Sequence, residues 1–172
     1  MKALIITANL FEDTELKIPY QFLREMGIDV EIVSINKGSI TGKHGFNIYT
    51  TKTLDEVDPS QYEILILPGG KGPSVIRKEA KALEIVHYFF DHDKLIAAIC
   101  HGPQILISAG LLEGKAVTGY KGISEELKDA GAIYKDEAVV IDENLITSRV
   151  PSDLNLFMEA IKQHLYKKSL RK

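Results

Sequence analysis

The chain contains one cysteine, Cys100, in the run Ala97-Ala98-Ile99-Cys100-His101-Gly102-Pro103. Leu95–Ile99 reads as a short buried strand, and Pro103 suits a first helical turn, where no N–H donor is needed. Cys100 is therefore predicted to sit on a sharp strand-to-helix turn. A nucleophile in that position is thrust out of the sheet, as in the nucleophile elbow of hydrolases. The helix N-terminus behind it would lower the thiol pKa from its usual ~8.5 and raise the thiolate fraction at neutral pH. The sequence thus predicts an exposed, reactive thiol. The competing reading is a packed structural cysteine, since free cysteines are often buried; the strand-end position and the His-Gly-Pro that follows favour the reactive one. His101 could act as general base or acid toward the thiol or a bound substrate, if a third group fixes its ring.

Two further segments offer groups that a thiol nucleophile needs. Pro68-Gly69-Gly70 follows the apolar run Glu63–Leu67, and paired glycines leave backbone N–H groups free to enter a cleft. The Gly70 and His101 N–H groups would supply the two donors of an oxyanion hole. Asn9-Leu10-Phe11-Glu12-Asp13 follows the first apolar run. A protonated carboxyl there would donate a hydrogen bond to the thiolate and tune it. Spacing leaves Glu12, Asp13 and Glu15 open for that role, and the same acids could simply open the next helix.

Other chemistries are excluded. Gly38–His44 has one spacer too few, and His for Ser/Thr, so it is no phosphate-binding loop; no GxSxG, HExxH or GxGxxG is present. One cysteine cannot form an intrachain disulfide or a multi-thiolate zinc site. His44, His87, His92 and His164 lack metal-ligand spacing, so no metal and no cofactor are expected.

These residues must be held by a scaffold. The length of 172 residues suits one domain, taken as 1–166, with Lys167, Lys168, Arg171 and Lys172 forming a frayed basic tail. Apolar residues are 45% and charged residues 26%, an ordinary globular composition. A net charge of −3 gives no case for a nucleic-acid or anionic-membrane partner. The apolar runs fall far short of the ~20 residues of a membrane span, and Ala3–Ile6 is too brief for a signal-peptide core, so a cytoplasmic protein is expected. Buried strands are predicted at Lys2–Thr7, Asp29–Ile35, Glu63–Leu67 and Leu95–Ile99. Helices are predicted at Thr14–Met26, Lys78–Asp91, Pro103–Ala109 and Ser152–Tyr166, the last with Ser152 as N-cap. Ser39–Leu54 reads as a β-type excursion. Ala116–Thr118 reads as a strand, and Ala138–Ser148 as a hairpin turning at Asp142–Asn144. Alternation of this kind implies a mainly parallel sheet with helices on both faces. Its chemistry belongs beyond the carboxyl ends of the strands, where all three distinctive segments fall.

With these motifs the chain resembles the PfpI-type intracellular proteases of the DJ/PfpI superfamily. The resemblance spans Thr7-Ala8-Asn9 with Glu12-Asp13, Thr41–Gly45, Leu67–Gly70, Ile99–Gly110 and Ser148–Leu154. It implies a flavodoxin-like three-layer α/β sandwich, of the class I glutamine amidotransferase-like kind, assembled as a dimer or hexamer. It implies Cys100 as nucleophile, His101 beside it, Glu12 as the carboxyl that contacts it, and oxyanion donors at Gly70 and His101. It places Tyr120, Gly69 and Lys43 against the substrate. The family carries peptide-bond hydrolysis and the repair or detoxification of glyoxal-type aldehydes, so the implied partners are a small aldehyde, a glycated amino group or a peptide. In the protease branch an acid just after the Gly-Gly turn, from a neighbouring subunit, completes a Cys-His-Glu triad. Here Ser74 occupies that position and cannot hold an imidazolium by charge, and Glu79 lies five residues on. The departure weakens the peptidase reading and leaves methylglyoxal glyoxalase or deglycase chemistry in front. A redox sensor or chaperone-like protein is the non-enzymatic alternative. A glutamine amidotransferase would need a downstream His-x-Glu pair, which is absent.

Overall fold

A computed structural model describes residues 1–50 and 52–171. Its centre is a seven-stranded sheet. The strands are β1 (Lys2–Ile6), β2 (Asp29–Ser34), β5 (Lys52–Thr53), β6 (Ile64–Leu67), β7 (Leu95–Ile99), β10 (Val139–Asp142) and β11 (Leu145–Ser148). Their spatial order is β10-β11-β7-β6-β1-β2-β5. All neighbours are parallel except the β10–β11 hairpin, which turns at Glu143 with φ 54°. The five strands β2-β1-β6-β7-β11 carry the flavodoxin-like 2-1-3-4-5 order, whose switch point lies between the first and third strands. The carboxyl ends of β1, β6 and β7 flank that point.

The helices are α1 (Asp13–Glu25), α2 (Gly72–Ile76), α3 (Ala80–Asp91), α4 (Pro103–Ser108), α5 (Ser124–Asp129) and α6 (Leu154–Leu170). Continuous apolar strands such as Ile64–Leu67 need cover on both faces. Leu4, Ile6, Leu65 and Leu67 face one core with Ile85, Val86 and Phe89 of α3, Ile105 and Leu106 of α4, and Leu127 of α5. Ala3, Ile5, Ile64 and Ile66 face the other, against Leu16 and Leu23 of α1 and Phe157, Met158 and Ile161 of α6.

Several boundaries differ from the sequence reading. The β-type excursion resolves into a separate hairpin, β3 (Gly38–Thr41) with β4 (Asn47–Thr50), and a two-residue edge strand, β5; Thr51 within it lies outside the described residues. The helix expected from Lys78 begins at Ala80 and is preceded by α2. Ser152 is not an N-cap. Residues 151–153 form a 3₁₀ turn, α6 starts at Leu154, and the Asp153 carboxylate is drawn to Arg149 at 2.9 and 3.1 Å instead of capping. The helix continues through Leu170, so the expected tail is helical up to there; Lys172 lies outside the described residues. Strands β8 (Ala116–Val117) and β9 (Ile133–Tyr134) form a small parallel pair. Among the described residues no helix is long and apolar enough to cross a membrane.

Candidate active site

Strand β7 ends at Ile99 and α4 begins at Pro103, so the chain must reverse direction over three residues. Cys100 takes the turn with φ 63°, in the left-handed region. That conformation costs a non-glycine residue roughly 1–3 kcal/mol and persists only where its surroundings fix it. The Cys100 N–H donates to the Ser148 carbonyl at 3.1 Å, and the Cys100 carbonyl accepts from the Tyr120 N–H at 2.8 Å. Gly102 N–H donates to the Ile99 carbonyl at 2.8 Å. Gly102 has no room for a Cβ, which would press on the carbonyl oxygens of Leu67 and Ile99. The elbow expected from the sequence is therefore present.

The exposed, acidic thiol is not. Cys100 is only 7% exposed, and its thiol is pushed up to about 12, by burial first and by the charge of Glu15 second. The N–H groups of His101 and Gly70 face the sulfur and act in the opposite direction. A turn that throws the side chain out of the sheet does not expose it when the Gly69–Gly70 and Glu12–Glu15 segments close over it.

The carboxyl against the sulfur is Glu15, not Glu12. Glu15 is fully buried at 0% exposure. Its Oε1 accepts from the Gly69 N–H at 2.8 Å, and among the described residues its Oε2 has no partner. Burial pushes its pKa up to about 8; the charge of Glu12 adds to this, while the Gly69 N–H, the Lys43 charge and the neighbouring Cys100 thiol oppose it. At neutral pH Glu15 keeps its proton, and the Glu15 charge that disfavours the thiolate is then absent. Gly69 lies between the two groups, where a Cβ would come within 2.6 Å of both Cys100 Cβ and Glu15 Oε1. Glu12 instead points to the rim, with Oε2 3.1 Å from Lys43 Nζ and Oε1 3.3 Å from His44 Nε2. Asp13 turns a third way and accepts from the His44 and Phe46 N–H groups at 2.9 and 2.8 Å, pinning the β3–β4 turn.

His101 Nδ1 lies 3.4 Å from Cys100 Sγ. Burial, and then the charge of Lys43, hold the imidazole below its ordinary range, so it is a neutral base at pH 7. Its ring packs on Tyr120 with centroids 4.6 Å apart. Among the described residues no carboxylate bonds to that ring. Ser74 is exposed and its hydroxyl donates back to the Lys71 carbonyl at 2.6 Å. The structure thus brings Cys100, His101, Gly69, Gly70 and Tyr120 together, sets Glu12 and Lys43 at the rim, and adds Glu15. One sequence signal could have singled Glu15 out. It shares the buried face of α1 with Pro19 and Leu23, an acid in an apolar stripe. Among the described residues no cluster of three His, Cys, Asp or Glu side chains is arranged to hold a metal ion.

Residues 1–164 match the model of the DJ-1/PfpI family. The chain belongs to the DJ-1/PfpI family. Deglycase PH1704 of Pyrococcus horikoshii is 48% identical over 158 residues, covering 92% of this chain and 95% of that protein. YraA of Bacillus subtilis, whose name proposes a cysteine protease, is 40% identical over 157 residues, covering 91% of this chain and 93% of its own. Among solved structures, a two-domain Anabaena variabilis protein with DJ-1/ThiJ/PfpI-like and ferritin-like domains superposes with TM-score 0.93 at 38% identity, covering 95% of this chain and 48% of that one. Drosophila melanogaster DJ-1beta gives 0.87 at 30% identity, covering 93% of this chain and 87% of that one. The DJ-1/PfpI assignment agrees with the flavodoxin-like topology, and the names of the relatives support an enzyme.

Proposed function

We propose that the chain is a cysteine-dependent enzyme acting on reactive carbonyls, of the methylglyoxal type or as their early adducts with amino groups. The observation that carries this reading is the Cys100–Glu15–His101 arrangement, a sulfur with a neutral base at 3.4 Å, a buried carboxyl on its other side, and two N–H donors facing it. Sγ adds to the aldehyde carbon as the His101 imidazole takes the thiol proton. The new oxyanion meets the Gly70 and His101 N–H groups and receives that proton, giving a hemithioacetal. His101 then removes the hydrogen on C1 as a proton and returns it at C2 through an enediol. The aldehyde carbon is oxidised and the ketone carbon reduced, so no external oxidant is needed. Water opens the resulting thioester, releasing lactate and the thiol, whose sulfur takes a hydrogen bond from protonated Glu15 as it leaves.

Peptide hydrolysis is the second reading, supported by the YraA resemblance and the Cys100–His101 contact. It asks for an acid to hold the imidazolium, and Ser74 stands at the position from which the protease branch would supply one. The test is a parallel assay on methylglyoxal, a glycated amino acid and a fluorogenic peptide, with Cys100→Ala as control. Lactate from methylglyoxal that disappears in the folded variant is the expected result. Cleavage of the peptide alone would transfer the site to the peptidases, and full activity of Cys100→Ala would end both readings.

A further inference from the structure

Three loops build the site, and each runs directly into a helix. Gly69-Gly70 leads into α2, Cys100-His101 into α4, and Tyr120 through a 3₁₀ turn into α5. These helices have only five, six and six residues, too few to be stable by helix formation alone. One polar cluster joins all three. Arg77, which closes α2, sets its guanidinium fork on the Glu126 carboxylate of α5, with NH2–Oε2 at 2.7 Å and NH1–Oε1 at 3.3 Å. Its Nε donates to Ser108 Oγ of α4 at 2.8 Å. Gln104 of α4 donates to Glu126 Oε1 at 3.1 Å. Among the described residues none of these four side chains hydrogen-bonds to Cys100, His101 or Glu15, so the chemistry of the site does not account for them.

We propose that Arg77 and Glu126 are positioning residues. Their clamp keeps the Gly70 N–H, the His101 N–H and the Tyr120 ring in register around the sulfur. The backbones leave no slack to absorb a shift. A Cβ on Gly72, the first residue of α2, would press on Thr7 Oγ1 and Ala8, and one on Gly102 would press on Leu67. A movement of α2 or α4 therefore displaces the donors that face Cys100. A planar fork fixes direction as well as distance, which an ammonium does not. A partly exposed ion pair adds little to global stability, so the clamp acts on the site more than on the fold.

The test reads both the thiol and turnover. Iodoacetamide alkylation of Cys100 followed against pH does not depend on what the substrate is; kcat and KM on methylglyoxal rest on the proposed function. Arg77→Ala leaves Glu15, Glu12, Lys43 and His101, the titratable groups around the sulfur, in place. It is expected to move the alkylation midpoint to higher pH, because the N–H donors that favour thiolate drift away. It should lower kcat about tenfold with KM changed less than about twofold. Arg77→Lys should fall between Arg77→Ala and the parent, and the double variant Arg77→Glu with Glu126→Arg should restore both values. A midpoint and kcat unchanged in Arg77→Ala, or a folded double variant that restores neither, would overturn the clamp. If Arg77→Ala fails to fold, an unshifted midpoint in Arg77→Lys does the same. If the parent makes no lactate, the carbonyl reading fails while the alkylation midpoint still decides the clamp.

Discussion

Glu15 and Glu31 are two carboxyls of one sheet scaffold with opposite fates. Glu31, on β2, lies 2.7 Å from Lys2 Nζ and 3.2 Å from Lys52 Nζ, and it accepts a hydrogen bond from the Tyr62 hydroxyl. Burial alone would raise its pKa, but hydrogen bonds from Lys2, Tyr62 and Lys52 outweigh that and hold it at about 2. Glu15 is more deeply buried, receives one backbone N–H, has one oxygen without a partner and is pushed up to about 8. The fold gives Glu31 two ammonium groups in direct contact, whereas among the described residues Glu15 has no ion pair and feels Lys43 only from the rim, where that lysine is paired with Glu12. Withholding partners keeps Glu15 protonated at neutral pH, which weakens the fold and, in the proposed reaction, leaves a proton donor beside the sulfur.

The largest effect is expected at Glu15 itself. Glu15→Gln cannot exchange a proton with the sulfur and should lower turnover of the carbonyl substrate by about 10²-fold or more. Its stability should move the other way. A carboxyl raised from 4.5 to about 8 is ionised in the unfolded chain and protonated in the folded one between those values. The fold therefore loses stability as pH rises from about 4.5 to about 8. The loss is on the order of 3 kcal/mol at pH 7. Glu15→Gln should melt several degrees higher at pH 7, with the gain gone below about pH 4. Equal melting temperatures at both pH values would mean that Glu15 carries no such burden.

Glu31→Gln tests the other side of the contrast. It leaves two lysines without their carboxylate, should cost about 2 kcal/mol at pH 7, and should leave kcat and KM as they were. Because the Glu31 pKa is depressed, its stabilisation is present above about pH 4.5 and is lost as pH falls through about 2. The acid-unfolding curves of the variant and parent should therefore converge at the lowest pH. The smallest effect is expected at Lys43, whose charge helps hold His101 low after burial has done most of the work. Lys43→Met should move the acid limb of the pH–rate profile upward by a fraction of a unit. A downward movement would show that Lys43 acts on another group.

Much of this architecture could be read from residue order. Leu95–Ile99 is apolar throughout because both faces are covered, and the hairpin at Asp142–Asn144 is marked by polar residues between apolar runs. The one-turn helices α2 and α5 leave no signature in the sequence, since five or six residues show no period and Gly72-Pro73 imitates a plain turn. At the site, the elbow at Cys100 followed from strand, cysteine and Pro103. The choice among Glu12, Asp13 and Glu15 did not. The three acids lie within four residues at the start of α1, and what separates them is tertiary: Lys43 draws one, the His44 and Phe46 N–H groups another, Gly69 the third. The depth of the sulfur is hidden from the sequence for the same reason, because the segments that cover it are distant along the chain.

The left-handed backbone at Cys100 also bears on how such a protein changes over time. A residue with a Cβ is held there against its own preference, and glycine or asparagine would relax the turn without disturbing the Ser148 and Tyr120 contacts. In a lineage released from the need for the reaction, ordinary selection for foldability pulls that codon toward glycine or asparagine, while Gly102, which has a steric reason to stay, does not drift. Descendants that have abandoned the chemistry would then bear its mark at one position of an otherwise intact elbow.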